Sequence, residues 1–308
     1  MAKMLSRVAP WLTSANRLRT DSGCEAAAAL GHAEIRVLDE GDTRRLWDLV
    51  KQDPVSNVFL AAHLEAARTA APTPSGAEIL GYFAEGALAG ACWSGVNLVP
   101  TALTAEQGTN LGQFLASSNR RTSSIFGPAE AVLGIWSSFQ HNSTRPFDVR
   151  PNQPLMELRG KPAVAADPAV RFSTGADLDV LLPACVAMFE EEVGYSPMAA
   201  GGHHYRQRVR SLIDKGHSLV YREPGGEVVF KAELGNVSAD AVQIQGVWMN
   251  PAYRGKGLAA TYMAAVVELS RKFAPVASLY VNDYNQRAVA AYQRVGFEQV
   301  GTFATVLF

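Results

Sequence analysis

The sequence predicts a mixed α/β protein built from two related halves. Three observations predict it. An apolar strand ending at Met249 runs into a basic glycine loop that opens an amphipathic helix. A second buried strand and a short capped helix follow it. The order strand, helix, hairpin also occurs twice, at an offset of about 135 residues, a domain-sized period.

In chain order, residues 1–33 carry Arg7, Arg17 and Arg19 but are broken by polar residues, without the apolar centre of a secretory signal. They read as a mobile tail on a cytoplasmic protein. Ile35-Arg36-Val37 is a strand before a helix starting near Asp42, and Ile79 to Trp93 is a hairpin turning near Glu85-Gly86. Residues 34–158 thus form the first half. The Pro/Ala-rich stretch from Arg159 to Asp167 marks a linker, residues 159–168. The second half, residues 169–308, repeats the pattern. Val170-Arg171-Phe172 precedes a helix starting near Asp177, and Ser218 to Leu234 is a hairpin turning at Pro224-Gly225-Gly226.

The halves then diverge. In the second, Val247-Trp248-Met249 leads into Asn250-Pro251-Ala252-Tyr253-Arg254-Gly255-Lys256-Gly257-Leu258-Ala259-Ala260, and Leu258, Tyr262, Val266, Leu269 and Phe273 mark one apolar helical stripe. This arrangement suits a pyrophosphate. Loop glycines admit close backbone approach, the first helical NH groups are unpaired, and the dipole favours negative charge. Arg254 and Lys256 would add direct charge. In the first half the nearest counterpart, Ser123-Ser124-Ile125-Phe126-Gly127-Pro128, has no positive charge to offer.

The second element of the C-terminal half is the strand Ser278-Leu279-Tyr280-Val281, then Asn282-Asp283-Tyr284-Asn285 and a helix ending at Val295, with Asn285 as N-cap and Gly296 as C-cap. With the Arg254-x-x-Gly257-x-Ala259 loop, Asn285-x-x-Ala288-x-x-x-Tyr292 and Gly296-Phe297, residues 169–308 resemble the GNAT superfamily of acyl-CoA-dependent N-acyltransferases. Gly246-Val247-Trp248, Ser278 to Asn282 and the Phe-Ala-Thr-Val-Leu-Phe ending are similar to actinobacterial two-part GNAT proteins with a degenerate N-terminal GNAT-like half.

The resemblance implies a mixed sheet with acyl-CoA wedged between two splayed parallel strands, here Val242 to Met249 and Ala277 to Val281. It implies that the pantetheine arm follows the main chain of Val247 and Met249 beside Trp248, and that the pyrophosphate rests on the NH groups from Lys256 to Ala260. Asn282 and Asn285 would contact the cofactor, acetyl-CoA. For Asn285 the N-cap role explains the residue equally well. Residues 34–158 would be a degenerate GNAT-like domain without its own cofactor; an unrelated α/β cap is the alternative.

Acyl transfer to an amine needs a neutral amine, an oxyanion donor and an acid for the leaving thiolate. The resemblance assigns the acid to Tyr292, which as a core tyrosine has a second explanation, and the oxyanion donor to the main-chain NH of Met249. Family members carry a glutamate base where this chain has Gln243, with Gln245 on the same strand face. A base must then come from Glu233 on the preceding strand or from Glu190-Glu191-Glu192, with Glu191 or Glu192 acting through a water; a solvated acidic helix face explains the run as well. The segment Glu191 to Pro197 would border the acceptor. Arg287 and Arg294 could reach the CoA 3′-phosphate.

Composition excludes several classes. The 308 residues carry 28 Lys and Arg against 29 Asp and Glu, a net charge of −1, with no run suggesting a nucleic-acid groove or a membrane-binding face. Cys24, Cys92 and Cys185 are too scattered for a disulfide framework or zinc site, and adjacent His203-His204 diverge on a helix, so no metal is expected. The expected partners are acyl-CoA and an amine acceptor, with a monomer or homodimer compatible. The reading is an N-acetyltransferase; the alternative, favoured by Gln243, is a catalytically inactive acyl-CoA-binding sensor or scaffold.

Overall fold

The computed structural model describes residues 33–117, 122–139, 145–199 and 201–308. The expected tail, with Cys24, lies outside them except for Ala33, which opens the first strand. The chain divides into two compact units, Met1–Leu155 with Gly301–Phe308, and Met156–Val300. This departs from a second half running to residue 308: the last eight residues belong to the first unit.

The first unit runs β1 (Ala33–Val37), α1 (Thr43–Val50), α2 (Val58–Ala67), β2 (Glu78–Ala84), β3 (Ala87–Ser94), β4 (Asn97–Thr101), α3 (Ala105–Ala116), β5 (Ser124–Pro128), α4 (Ala129–Phe139) and the start of β6 (Asp148–Leu158). Its sheet order is β1-β2-β3-β4-β5-β12, where β12 is Glu298–Leu307. Antiparallel pairing of Phe303 with Pro128 through Leu307 with Ser124 seats that strand. Its Ala304 and Val306 are fully buried with Ile125, Val132 and Ile135. The β2–β3 hairpin turns at Glu85 and Gly86, both with positive φ, as its sequence predicts.

The second unit repeats this order: β7 (Arg171–Phe172), α5 (Leu178–Val193), α6 (His203–Asp214), β8 (Ser218–Arg222), β9 (Val228–Val237), β10 (Ala241–Met249), α7 (Ala259–Ser270), β11 (Val276–Tyr280) and α8 (Gln286–Val295). The end of β6 lies beside β11, and the order continues β10-β9-β8-β7. The β7–β8, β8–β9 and β9–β10 pairs are antiparallel and β10–β11 is parallel, as β4–β5 is the parallel pair of the first unit. The apolar stripe read from sequence is real: Tyr262 and Val266 are buried, and Leu258, Leu269 and Phe273 pack against the same core.

Both units open with the same device. Arg36 grips Asp42 with two hydrogen bonds of 2.7 and 2.8 Å, and Arg171 grips Asp177 with two of 2.8 Å. Each aspartate also accepts a backbone NH from three residues earlier, Asp39 or Thr174, which fixes the entry to the first helix. Among the described residues no helix is long and apolar enough to cross a membrane, and no His/Cys/Asp/Glu group could hold a metal.

Candidate active site

The sheet of the second unit parts along β10. Gln245 pairs with Glu233 and Trp248 with Lys231, so Gly246 and Val247 together face the single residue Ala232 on β9. This is a β-bulge, and Gly246 supplies its positive φ of 55°. On its other edge β10 meets β11 only at Ala241–Val276, Val242–Ala277 and Gln243–Ser278. The Ser278 hydroxyl donates to the Val242 carbonyl at 3.1 Å, closing the vertex. Beyond it β10 runs on without a β11 partner. Asn250 donates its NH to Val229 of β9 at 2.8 Å, so strand alternation turns the NH groups of Met249 and Val247 to the opposite, open edge.

From there the chain enters the glycine loop. Asn250 caps a short 3-10 turn, Pro251–Tyr253, by accepting the Ala252 NH at 3.0 Å. Gly255 and Gly257 have φ of 76° and 77°, and only open space surrounds the place of a Cβ at either. The loop is exposed, α7 begins at Ala259, and Ala260 is already buried. Its NH groups therefore face solvent at a helix start, a cradle that fits a pyrophosphate. The Lys256 ammonium lies 4.9 Å from the Tyr253 ring centroid, at the same loop.

Arg254, expected to add direct charge at the phosphates, here has other partners. Its Nε donates to the Met249 carbonyl at 2.8 Å, and its Nη2 donates to both oxygens of Glu191 at 2.9 and 2.8 Å. Trp248, buried on β10, donates its indole NH to the same carboxylate at 3.1 Å. Glu191 is thereby an anchored counter-ion, which weakens its claim to be the base.

On α8, Asn285 accepts the Ala288 NH at 3.3 Å, and Gly296, with φ of 108°, ends the helix; the cap reading is the one the geometry displays. Asn282 accepts the Asn285 NH at 2.9 Å within the loop below. Tyr292 is 8 % exposed and packs against Phe297. Burial, and then the charge of Glu192, hold its hydroxyl above the ordinary tyrosine range. Two predicted catalytic residues from distant parts of the sequence are thus within electrostatic reach.

Glu233 occupies a different setting. Lys231 donates to one of its oxygens at 2.5 Å and Arg208 to the other at 2.9 Å, and Lys231 and Glu233 are buried. Burial opposes its charge, but the two cations prevail and hold its carboxyl at about 2. Such a carboxylate is a poor proton acceptor, so the structure speaks against Glu233 as base. The Cys185 thiol beside it is pushed up by burial, and the Tyr205 hydroxyl donates to the Cys185 carbonyl at 2.7 Å. Sequence reading missed Arg208 and Lys231. Lys231 did leave a signal: two positions before Glu233 on a strand, it shares that residue's face. Gln243 is buried and accepts from Asn236 at 2.8 Å.

The corresponding place in the first unit is closed. β4 keeps regular register with β3, without a bulge, and Pro100 has no NH to offer. Only residues 102–104 separate β4 from α3, whose N-terminus is occupied by the Thr104–Gln107 capping box. Ser123–Pro128 is no counterpart of the loop, because Ser124–Pro128 is strand β5. Helices α3 and α4 touch backbone to backbone. A Cβ on Gly108 would stand 2.6 Å from the Ala131 carbonyl oxygen, one on Gly112 2.7 Å from that of Ile135, and one on Gly134 would overlap that of Ala105.

Residues 186–297 match the family described as Acetyltransferase (GNAT) family, whose members use acyl-CoA. Residues 77–181 match a Domain of unknown function (DUF4081). No curated protein sequence matches the chain. Among solved structures, a GCN5-related N-acetyltransferase from Sphaerobacter thermophilus superposes with a TM-score of 0.55 at 17% identity, over 89% of this chain and 95% of the other. A GNAT-family acetyltransferase from Colwellia psychrerythraea gives 0.52 at 14%, over 89% and 99%. A tandem GNAT protein from the clavulanic acid biosynthesis pathway gives 0.50 at 12%, over 89% and 98%. At such identities the likeness is one of fold, and it spans both units. The parted strands, the glycine loop and these matches together make the C-terminal region of this chain a GNAT acetyltransferase domain, preceded by a segment of the DUF4081 type.

Proposed function

We propose that the second unit is an acetyl-CoA-dependent N-acetyltransferase acting on a primary amine of a small molecule or peptide. The observation that carries the reading is the wedge: β10 loses β11 after Gln243, turns free NH groups into the gap, and ends at an exposed glycine loop on a helix start. Bound acetyl-CoA would supply a thioester whose carbonyl carbon an amine can attack. The Val247 and Met249 main chain aligns the ligand's amide-bearing arm, and the NH groups from Lys256 to Ala260 with the Lys256 ammonium hold its phosphates.

The Met249 NH donates to the carbonyl oxygen as negative charge gathers there. Glu192 takes the proton of the attacking nitrogen, directly or through a water. Tyr292 gives its hydroxyl proton to the departing sulfur and regains one from solvent. Its raised proton affinity keeps that hydroxyl protonated through neutral pH, so the proton is present when thiolate charge develops. Residues 34–158 take no part in cofactor binding on this reading; among the described residues β4 carries no bulge against β3, no basic glycine loop follows it, and α3 and α4 leave no open groove between them.

Calorimetric titration with acetyl-CoA, with desulfo-CoA as control, tests the cofactor site. Micromolar binding is expected in the unaltered protein and none in Gly257→Glu, which sets a carboxylate and bulk against the phosphates. Space for that side chain exists, and the positive φ adds strain of about 1–2 kcal/mol. Equal binding by both proteins would overturn the site. Release of free thiol with an amine panel then tests transfer; acetyl-CoA bound but never consumed would mark a sensor instead.

A further inference from the structure

Glu191 stands at the last turn of α5, the helix whose end borders the expected acceptor side, yet its carboxylate reaches β10 and the loop 63 residues further along the chain. It takes the Trp248 indole NH at 3.1 Å and both donors of Arg254 Nη2 at 2.9 and 2.8 Å, while Arg254 Nε holds the Met249 carbonyl at 2.8 Å. Four hydrogen bonds thus join three parts of one unit: the helix end, the strand of the wedge, and the first residue of the glycine loop. The arginine that opens the loop spends its charge inward, leaving the phosphate-side charge to Lys256.

We propose that Glu191 is a positioning residue that clamps Arg254 and Trp248, so that the acceptor-side end of α5 and the phosphate-binding loop move as one piece. This rests on the acetyl-CoA site proposed above. Two consequences follow from the geometry. Glu191 fixes the outer edge of the guanidinium that the single Nε bond to Met249 holds at one point, and so adds a second restraint on the start of the loop. The end of α5 is also tied to the wedge before any acceptor arrives, so loop order and acceptor binding share one contact and are reciprocally coupled. The ion pair is half exposed, with side chains 40 % and 48 % accessible, so its strength falls with ionic strength.

The test uses the full chain with Glu191→Gln, Arg254→Gln and the double variant. Indole resonances of tryptophan-labelled protein first report the clamp without any ligand. The Trp248 NH signal should move in Glu191→Gln and in Arg254→Gln, and an unmoved signal in both overturns the clamp. Acetyl-CoA titration follows. Each single variant should weaken binding about threefold to tenfold, and the double variant no more than the worse single, the signature of one shared contact. Additive losses, or tighter binding when Glu191 is neutralised, would overturn the proposal; the latter would mean that the pair restrains Arg254 from the phosphates. In steady-state thiol release, KM for acetyl-CoA and for the amine should both rise, with the acidic limb of the pH profile, which reports the proton-accepting group, retained in Glu191→Gln. Loss of that limb would make Glu191 the base. Failure of the parent reading is separately visible: the unaltered protein would then bind no acetyl-CoA, while the indole shifts still judge the clamp.

Discussion

Tyr292 and Glu233 show how the same physics gives two ionisable residues opposite uses. Tyr292 is buried with one negative neighbour, so its proton is retained; Glu233 is buried with two positive neighbours, so its proton is expelled. Tyr292→Phe should lower the thiol-release rate at saturation by about 100-fold, the lower end of general-acid contributions, while calorimetry finds acetyl-CoA affinity little changed. For Glu233 the consequence lies in stability. Its carboxyl falls from the usual 4.5 to about 2 in the folded chain, so the folded state is favoured above the unfolded value. That contribution is lost as pH falls from about 4.5 through about 2. Denaturation midpoints measured across this window should drop less steeply in Glu233→Gln, which has no proton to gain, although its starting stability is lower because Lys231 and Arg208 lose their anion. The helix that carries Tyr292 was legible because its caps, Asn285 and Gly296, are local signals, while the acid role came only from the resemblance. The Glu191–Arg254 pair was not, because no local period links residues 63 apart.

The glycine residues divide the elements by purpose. In the second unit Gly246, Gly255 and Gly257 adopt positive φ and open the chain, whereas in the first unit Gly108, Gly112 and Gly134 lie inside helices and close it. Gly134→Ala forces a methyl group against the Ala105 carbonyl, a backbone atom that cannot rotate away. The expected cost is about 1–3 kcal/mol, read as a lowered midpoint in urea, with acetyl-CoA binding to the second unit unchanged. Sequence pattern revealed the loop glycines Gly255 and Gly257 and hid Gly246 and the helical ones. A glycine between a strand and an amphipathic stripe declares a loop, but a glycine within an apolar helix shows its reason only when the partner helix is known. The two hairpins and the caps of α8 were equally readable, since turn and cap chemistry is local. Helix α4 lacked that advantage: its residues are apolar or small nearly throughout, and no polar stripe sets its period.

At the scale of the molecule the repeat was visible as a spacing, and the structure explains why those residues persist in both halves: Arg36–Asp42 and Arg171–Asp177 perform one task twice. Which sheet the final strand joins was not visible, because alternation along Gln299 to Leu307 fits any apolar partner face. Its partner proves to be β5 of the first unit. That choice has a temporal side. A ribosome emits β1 to β5 first, then every residue of the second unit, and only afterwards the strand that completes the first sheet. Throughout that interval the first-made unit must wait with the edge of β5 exposed, available to other chains, while the last-made unit already holds all of its own strands. The order of maturation is therefore inverted: the part translated last can finish folding first.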